Sequence, residues 1–385
     1  MYDLLKGVRV LDLTSVVLGP FATQYLGDFG ADVIKVEPPD GDIFRHVQPA
    51  RSKGMGAGHL AFNRNKRAIG LNLKQPEARA RLAALLEGAD VFVHNMRPAA
   101  AKRLGLDPES LREAYPRLVY CVSTGYGSKG RFADLPAYDD IIQAASGIAH
   151  LNADSTGCPR FLPTILCDKI GGLHLAMAVL AGVVKQTKTG KGCVIEAPMF
   201  EGLVSFLLAE HLAGERFRPA KGGIGYNRII CEYRRPYATK DGFLGVLPYN
   251  GKHWTCFLQA VGREDLAQAD WVQDAARRSE RVGELYTVVA EVMPERTTAD
   301  WIALLHELDI PCTPVNSLDD LLSDPHLADV GLFQEIEHPS EGSLQAIRTP
   351  FWVEGAEAIP DNPAPVLLPS DAEIAWAERS CQTGA

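Results

Sequence analysis

The chain has no Walker loop, no HExxH, no GxSxG elbow and no CxxC pair. P-loop phosphoryl transfer, zinc proteolysis, α/β-hydrolase chemistry and a zinc or thioredoxin-type motif therefore have no basis in the sequence. Positive charge is also scarce: 39 Lys and Arg stand against 48 Asp and Glu, a formal net charge of -9, which excludes a generally basic nucleic-acid binder and confines any basic site to a local patch. Long hydrophobic runs are missing. The uncharged stretches 13–27 and 170–184 each fall short of the roughly 20 residues that a membrane-crossing helix needs, so a soluble chain without a membrane partner is expected. Asp3, Lys6, Arg9 and Asp12 stand where a secretory signal would be apolar. The 8 cysteines, from Cys121 to Cys381, are scattered. Reduced thiols, no metal site and a cytoplasmic location are the expectation.

What is present is a large store of apolar residues, 46% of 385, enough for two domains or one domain with an insertion. Short β-branched runs at 8–13, 31–36, 91–93, 118–122 and 194–195 alternate with helical patterns such as 75–86 and 98–104. Strands at that spacing imply βαβ units and a parallel sheet covered on both faces. Apolar helices are expected at 170–185 and 199–212, and the Gly-, Arg- and Lys-rich stretch 215–227 reads as a linker. A second unit follows, with strands at 243–247 and 313–315 and helices at 253–261, 284–293 and 298–308. It is small for an independent core, so packing on a partner surface is expected. Beyond Ser340, a strand-like stretch at 343–348 leads into Pro360, Pro363, Pro365 and Pro369, an extended arm.

Three features invite a chemical reading. Gly125-Tyr126-Gly127-Ser128-Lys129-Gly130 matches the dinucleotide fingerprint directly after a strand, but Pro136 and the lack of helical period behind it leave no helix to hold a pyrophosphate, so it reads as a plain loop. Between Arg64 and Arg103 basic residues outnumber acidic ones. Arg79 and Arg81 fall mid-helix and read as solvated, whereas Arg64, Lys66, Arg67, Arg97 and Arg103 fall at element ends, where a phosphorylated small molecule would suit them. Asp168 stands immediately before an expected apolar helix and a Gly171-Gly172 pair. It is either an ordinary N-cap or a carboxylate nucleophile held by helix-end amides, with the glycines admitting a ligand to the backbone.

The chain resembles the class III CoA-transferases, the group of formyl-CoA transferase, carnitine CoA-transferase and α-methylacyl-CoA racemase, over nearly its whole length. The resemblance rests on Gly7-Val8-Arg9-Val10-Leu11-Asp12-Leu13 with Gly19-Pro20, Gly30-Ala31-Asp32-Val33-Ile34-Lys35-Val36-Glu37-Pro38-Pro39 with Gly41-Asp42, Asn65-Lys66-Arg67, Leu71-Asn72-Leu73-Lys74, Ala89-Asp90-Val91 with Asn95 and Arg97-Pro98, and Thr189-Gly190-Lys191-Gly192. It implies that Asp168 is the nucleophile. It places coenzyme A on Val17, Leu18, Leu71, Asn72, Leu73, Lys74, Asn95, Met96, Arg97, Arg103, Ala137, Tyr138 and Asp139, and a glycine loop near the acyl group at Gly222-Gly223. Ser15, Val17 and Pro38 stand where formyl-CoA transferases tend to carry polar, imidazole or basic side chains, so contacts there would be backbone or apolar.

The implied architecture is α/β: a Rossmann-like large domain over 1–212, a linker at 213–229, a small α/β domain over 230–335 and a carboxyl-terminal arm, 336–385, returning to the large domain, in an interlocked homodimer. The implied activity is transfer of CoA between an acyl-CoA and a carboxylic acid through an aspartyl-CoA thioester, with CoA as substrate and no tightly bound cofactor or metal. Backbone amides near Gly171 or Gly222 are the expected oxyanion donors. A 2-methylacyl-CoA racemase on the same fold is the nearest alternative. It needs a base on each side of the α-carbon, and Ala137-Tyr138-Asp139 offers a tyrosine where the resembling racemases use a histidine. A nicotinamide-dependent oxidoreductase built on the 125–130 loop and a non-catalytic CoA-binding protein are the remaining readings.

Overall fold

The computed structural model describes residues 1–356, 359 and 361–378; Pro360 and Cys381 fall outside them. The chain divides into two compact units, Met1–Leu207 together with the chain from Val330 onward, and Leu208–Asp329. Residues 213–229 therefore cluster with the second unit, and 330–335 with the first.

The first unit is built on a seven-stranded parallel sheet. Its strands are β1 (Arg9–Leu13), β2 (Asp32–Glu37), β3 (Lys66–Gly70), β4 (Val91–His94), β5 (Val119–Val122), β6 (Cys193–Glu196) and the arm's short strand Leu367–Leu368. The order runs from the arm's strand through β3, β2, β1, β4 and β5 to β6, with every neighbouring pair parallel. Such strands are buried on both faces and so are rich in Val, Ile and Leu, which is why periodicity exposed most of them. The order reverses between β1 and β4, and at such a switch point the loops beyond the carboxyl ends of the strands diverge and leave a crevice.

Helices α1 (Leu18–Asp28), α2 (Pro76–Gly88), α3 (Pro98–Arg103), α4 (Asp139–Ser146), α5 (Leu166–Thr189) and α6 (Met199–His211) complete this unit's main elements. Helix α5 has 24 residues, longer than expected from sequence, and by length and hydropathy alone it could span a membrane. Leu175, Val179 and Val183 instead enter the core with α1, leaving Leu173, Met177 and Val184 on an exposed face. A Cβ at Gly172 would lie 2.6 Å from the Leu18 carbonyl oxygen, and one at Gly171 2.7 Å from the Leu18 side chain. The glycine pair thus admits α1 and not a ligand, which corrects the reading of these residues as a backbone approach.

The arm is anchored along the first unit. Arg45 donates to the Pro365 carbonyl at 3.2 Å, the Trp376 indole donates to the Leu85 carbonyl at 2.9 Å, and Ile374 and Trp376 pack against the α2 side of the core. The stretch expected at 343–348 is the second strand of an antiparallel hairpin, Phe333–His338 with Gly342–Ile347.

The second unit has its own core, contrary to expectation. Trp254, Phe257, Tyr286 and Trp301 are fully buried, and the Trp301 indole donates to the Met293 carbonyl at 2.8 Å. Aromatic volume replaces chain length here, since each such side chain removes a large apolar area from water. A three-stranded antiparallel sheet of Tyr237–Ala238, Phe243–Val246 and Cys312–Pro314 completes it.

Candidate active site

Two clefts adjoin at the β1/β4 switch point. The first, about 350 Å³, is lined by residues following β1, β2 and β3, among them Ser15, Pro38, Pro39, Leu71, Asn72, Leu73 and Lys74, and by Met96 and Leu104. The second, about 280 Å³, holds Asp168 and is lined by Ser15, Val16, Leu18, Asn95, Met96, Arg97, Ser123, Thr124, Gly125, Ala137 and Tyr138. Ser15 and Met96 belong to both. Most of the residues singled out from sequence thus converge on one crevice.

The exceptions are instructive. Val17 is buried at the start of α1 and lines neither cleft, and Leu18, although in the second lining, has its side chain almost wholly packed, so both offer a ligand mainly backbone. Arg103 is the exposed last residue of α3, next to the cleft residue Leu104 rather than in the lining. Asp139 is buried and faces the start of α5. Gly222 and Gly223 are exposed in the second unit, with open space where a Cβ would stand, and the Gly223 carbonyl accepts from the Gly214 amide.

Asp168 is not the N-cap. Helix α5 begins at Leu166 and its N-cap position is Ile165, so Asp168 lies within the first turn, where the helix dipole favours a negative charge. The side chain that serves this helix end is Asp139: its Oδ2 accepts the Asp168 backbone N–H at 3.0 Å. Its Oδ1 accepts Gln143 Nε2 at 2.7 Å, and Gln143 Oε1 accepts the Leu162 amide at 2.9 Å. The Asp168 carboxylate itself accepts no hydrogen bond from a described residue. Burial, with the Asp139 charge adding to it, pushes its pKa from 3.8 up to about 7. A largely buried carboxylate with a raised pKa that faces a cleft marks a candidate functional group. Gly171 lies inside the helical ladder, so its amide is spoken for and cannot serve as an oxyanion donor.

The loop between β1 and α1 is held from beneath by charges that the sequence did not reveal as a unit. Val16 adopts φ 69, unusual for a β-branched residue, and donates its N–H to Asp42 at 3.0 Å. Lys35 donates to the Thr14 carbonyl at 2.6 Å and pairs with Asp42 at 3.3 Å. Asn95 accepts the Ser15 amide at 3.0 Å and donates to the Ser15 carbonyl at 2.9 Å, tying the β4 loop to the β1 loop. Gly41-Asp42 and Lys35 stood among the family marks, the one signal that could have found them.

Three of the basic candidates are paired with carboxylates and line neither of the two clefts at the switch point. Arg64 donates to Asp28 and pairs with Asp361, Lys66 is buried against Asp12, Asn63 and the Pro20 carbonyl, and Arg67 forks onto Asp32. All three lie at the amino end of β3, away from the two clefts at the switch point, and Lys66 and Arg67 border a separate cleft there with Arg9 and Asp32. Arg97 alone of the five lines the Asp168 cleft. The 125–130 loop is correctly read as no phosphate site: the Gly127 amide donates to Glu201 at 3.0 Å and the Ser128 amide to Glu196 at 2.7 Å, filling with carboxylates the places a phosphate would take. Its first residue, Gly125, nevertheless lines the cleft, as do Ser123 and Thr124, which sequence reasoning missed.

The family model of CoA-transferase family III matches residues 5–368. The chain belongs to CoA-transferase family III and is an enzyme that transfers CoA between an acyl-CoA and a carboxylic acid. It is 32% identical over 344 residues to human succinyl-CoA:glutarate CoA-transferase, covering 88% of this chain and 78% of that one. It is 30% identical over 385 residues to succinate–glutarate CoA-transferase of Agrobacterium fabrum, covering 96% and 94% of the two chains. Among solved structures, Rv3272 of Mycobacterium tuberculosis superposes with a TM-score of 0.80 at 28% identity, covering 94% of this chain and 96% of that one. A CAIB/BAIF family protein of Brucella suis gives 0.78 at 27% identity, covering 95% and 97%.

Proposed function

We propose that CoA is exchanged through Asp168, and that the acids handled include short dicarboxylates. The observation that carries the first part is the Asp168 carboxylate, buried, without a hydrogen-bond donor among the described residues and open to a cleft at the switch point. The second part rests on the relatives, whose names specify succinyl, glutarate and mesaconate groups.

The Asp168 carboxylate oxygen attacks the thioester carbonyl of the donor. The C–S bond breaks, giving a mixed anhydride and CoA thiolate. The thiolate attacks the aspartyl carbonyl, the anhydride C–O bond breaks, and the donor acid leaves as its carboxylate with CoA held on Asp168 as a thioester. An acceptor carboxylate then runs the two steps in reverse. No net proton or electron moves, and one difficult displacement becomes several easier ones. Acylation also removes the Asp168 charge that Asp139 opposes, so the ground-state repulsion is relieved along the reaction coordinate. Incubation with succinyl-CoA followed by hydroxylamine or borohydride is expected to modify Asp168, located by peptide mass. Modification at another residue would overturn the assignment.

CoA is assigned to the two adjoining clefts, with Leu71–Lys74 along the first, Asn95 and Arg97 along the second, Met96 in both, and Arg103 reaching the 3′-phosphate. Arg103→Ala is expected to weaken CoA binding by about 10-fold or more, the size of one charge-assisted hydrogen bond, and to leave binding of 3′-dephospho-CoA unchanged. Equal losses for both ligands would show that Arg103 does not meet the 3′-phosphate.

The protein is further assigned as a tight homodimer. Leu173, Met177 and Val184 on α5 and Phe206 on α6 are exposed apolar side chains of the kind a second copy covers. Sedimentation is expected to give a dimer at every dilution that leaves the chain folded, and a folded monomer at low concentration would contradict it. A reducing, cytoplasmic setting is consistent with the described cysteines, all of which are free.

A further inference from the structure

We propose that Asp139 and Gln143 act as a positioning clamp for Asp168, Asp139 fixing the main chain at the nucleophile and Gln143 fixing Asp139. The proposal rests on Asp168 being the nucleophile, and it gives Asp139 a role other than contact with CoA.

Three observations carry it. Asp139 is buried and does not line either cleft, so its carboxylate is committed to the protein. Each of its oxygens has one directed donor, the Asp168 amide at 3.0 Å and Gln143 Nε2 at 2.7 Å, which leaves it no freedom to rotate. Gln143 is itself fully buried, and its oxygen accepts the Leu162 amide at 2.9 Å, so the chain entering α5 is tied to α4 on both sides of the turn. A helix start leaves its first amides without partners, and a side chain from another helix fills that need here where Ile165 cannot. The result fixes the backbone at Asp168 while leaving its carboxylate untouched, as a nucleophile requires.

The clamp also sets the charge around the nucleophile. Asp140 on α4 is exposed and Lys169 on α5 is bound to the Thr164 hydroxyl at 2.6 Å. Arg97 and Tyr138 line the cleft, and Cys167 is buried beside Asp168. After burial, the nearby charge that raises the Asp168 pKa is that of Asp139.

The test exchanges the hydrogen-bonding sense of the pair. Asp139→Asn leaves two amide NH₂ groups facing each other, and Gln143→Glu leaves two carboxylates. The double variant restores the bonds of the clamp and gives up only the long 3.4 Å bond from Gln143 Nε2 to the Thr164 carbonyl: the new amide at position 139 accepts the Asp168 N–H through its oxygen and donates to the new carboxylate at position 143, whose second oxygen still accepts the Leu162 amide. Each single variant is expected to lower succinyl-CoA:glutarate exchange by about 10-fold or more, and the double variant to recover to within a few-fold of the parent. In Asp139→Asn the acid limb of the donor kcat/KM profile should move to lower pH, a change that general loosening of the fold would not produce. No recovery in the double variant, or an unmoved limb, would overturn the clamp. Hydrogen–deuterium exchange of the peptide covering 162–170 reads the clamp without turnover: it should quicken in each single variant and slow again in the double, in the parent and in an Asp168→Asn background alike. Unchanged exchange there would refute the clamp even if Asp168 proved catalytic, whereas a clamp intact by exchange with turnover surviving Asp168→Asn would fault the nucleophile alone.

Discussion

Asp168→Asn is expected to abolish acyl exchange, by at least about a thousand-fold, while making the protein more stable above pH 7. The two effects have one cause. In the folded chain burial and the Asp139 charge raise the Asp168 pKa from 3.8 to about 7. Between those values the native state holds a proton that the unfolded state has lost, so this group's contribution is fully present below pH about 4 and lost as pH rises through about 7. At pH 8 the ionised carboxylate costs the fold up to roughly 4 kcal/mol, a three-unit shift at 1.36 kcal/mol per unit taken as an upper figure. Asparagine carries no charge and avoids that cost. Thermal unfolding at pH 8 should therefore show a higher Tm for the variant, and the difference should shrink to nothing near pH 4. In the parent enzyme donor kcat/KM should fall on the acid side with a midpoint near pH 7, since only the carboxylate attacks. A variant with parental stability at pH 8 would mean that the carboxylate is solvated in solution, and one with parental turnover would place the chemistry elsewhere.

That prediction depends on a helix boundary that sequence alone misplaced by a few residues. Pro163 and the charged pair Asp168-Lys169 interrupt the apolar period, so by pattern the helix begins at 170, and Asp168 takes on the look of a cap. Nothing local in the sequence shows that a carboxylate from α4 closes the start of α5, because the two residues come together only in the fold. The strands were more legible. Double-sided burial writes Val, Ile and Leu into β1, β2, β4 and β5 at high density. Strand β3 escaped because it opens with Lys66-Arg67, which by composition reads as a basic loop, and the arm's two-residue strand Leu367–Leu368 is too short to carry any period. The crevice itself was half legible: residues beyond β3 and β4 were found through their charge and family pattern. Ser123, Thr124 and Val16 were not, since a residue that lines a site through backbone or a small side chain leaves no compositional trace.

The misread basic cluster leads to the second large effect. Asp12 is fully buried, accepts from the amide and hydroxyl of Thr14 and from the Thr23 hydroxyl, and pairs with Lys66 at 3.5 Å. Burial pushes the Asp12 carboxyl up, but Lys35, Lys66 and the two hydroxyls outweigh it and hold it below the usual range. Lys66 is pushed down to about 7 by burial, with Asp12 opposing the fall and Lys35 adding to it. A lysine so placed is committed to the carboxylate beneath the β1 loop. Removing one partner of a buried pair is far costlier than the pair's net worth, because the other charge remains without compensation. Asp12→Ala strands Lys66, leaves Lys35 with less opposing charge and frees two hydroxyls, and is expected to cost about 3–5 kcal/mol, read as a lower urea midpoint. Adding Lys66→Met should recover part of that loss, whereas Lys66→Met alone leaves Asp12 its hydroxyl donors and Lys35 and costs less than Asp12→Ala. The loop from Thr14 to Val16 borders both clefts, so Asp12→Ala should also lower donor kcat/KM at temperatures where the variant is still folded. A parental urea midpoint in Asp12→Ala would mean that water or another group replaces the carboxylate, and that Lys66 is free after all to meet a ligand.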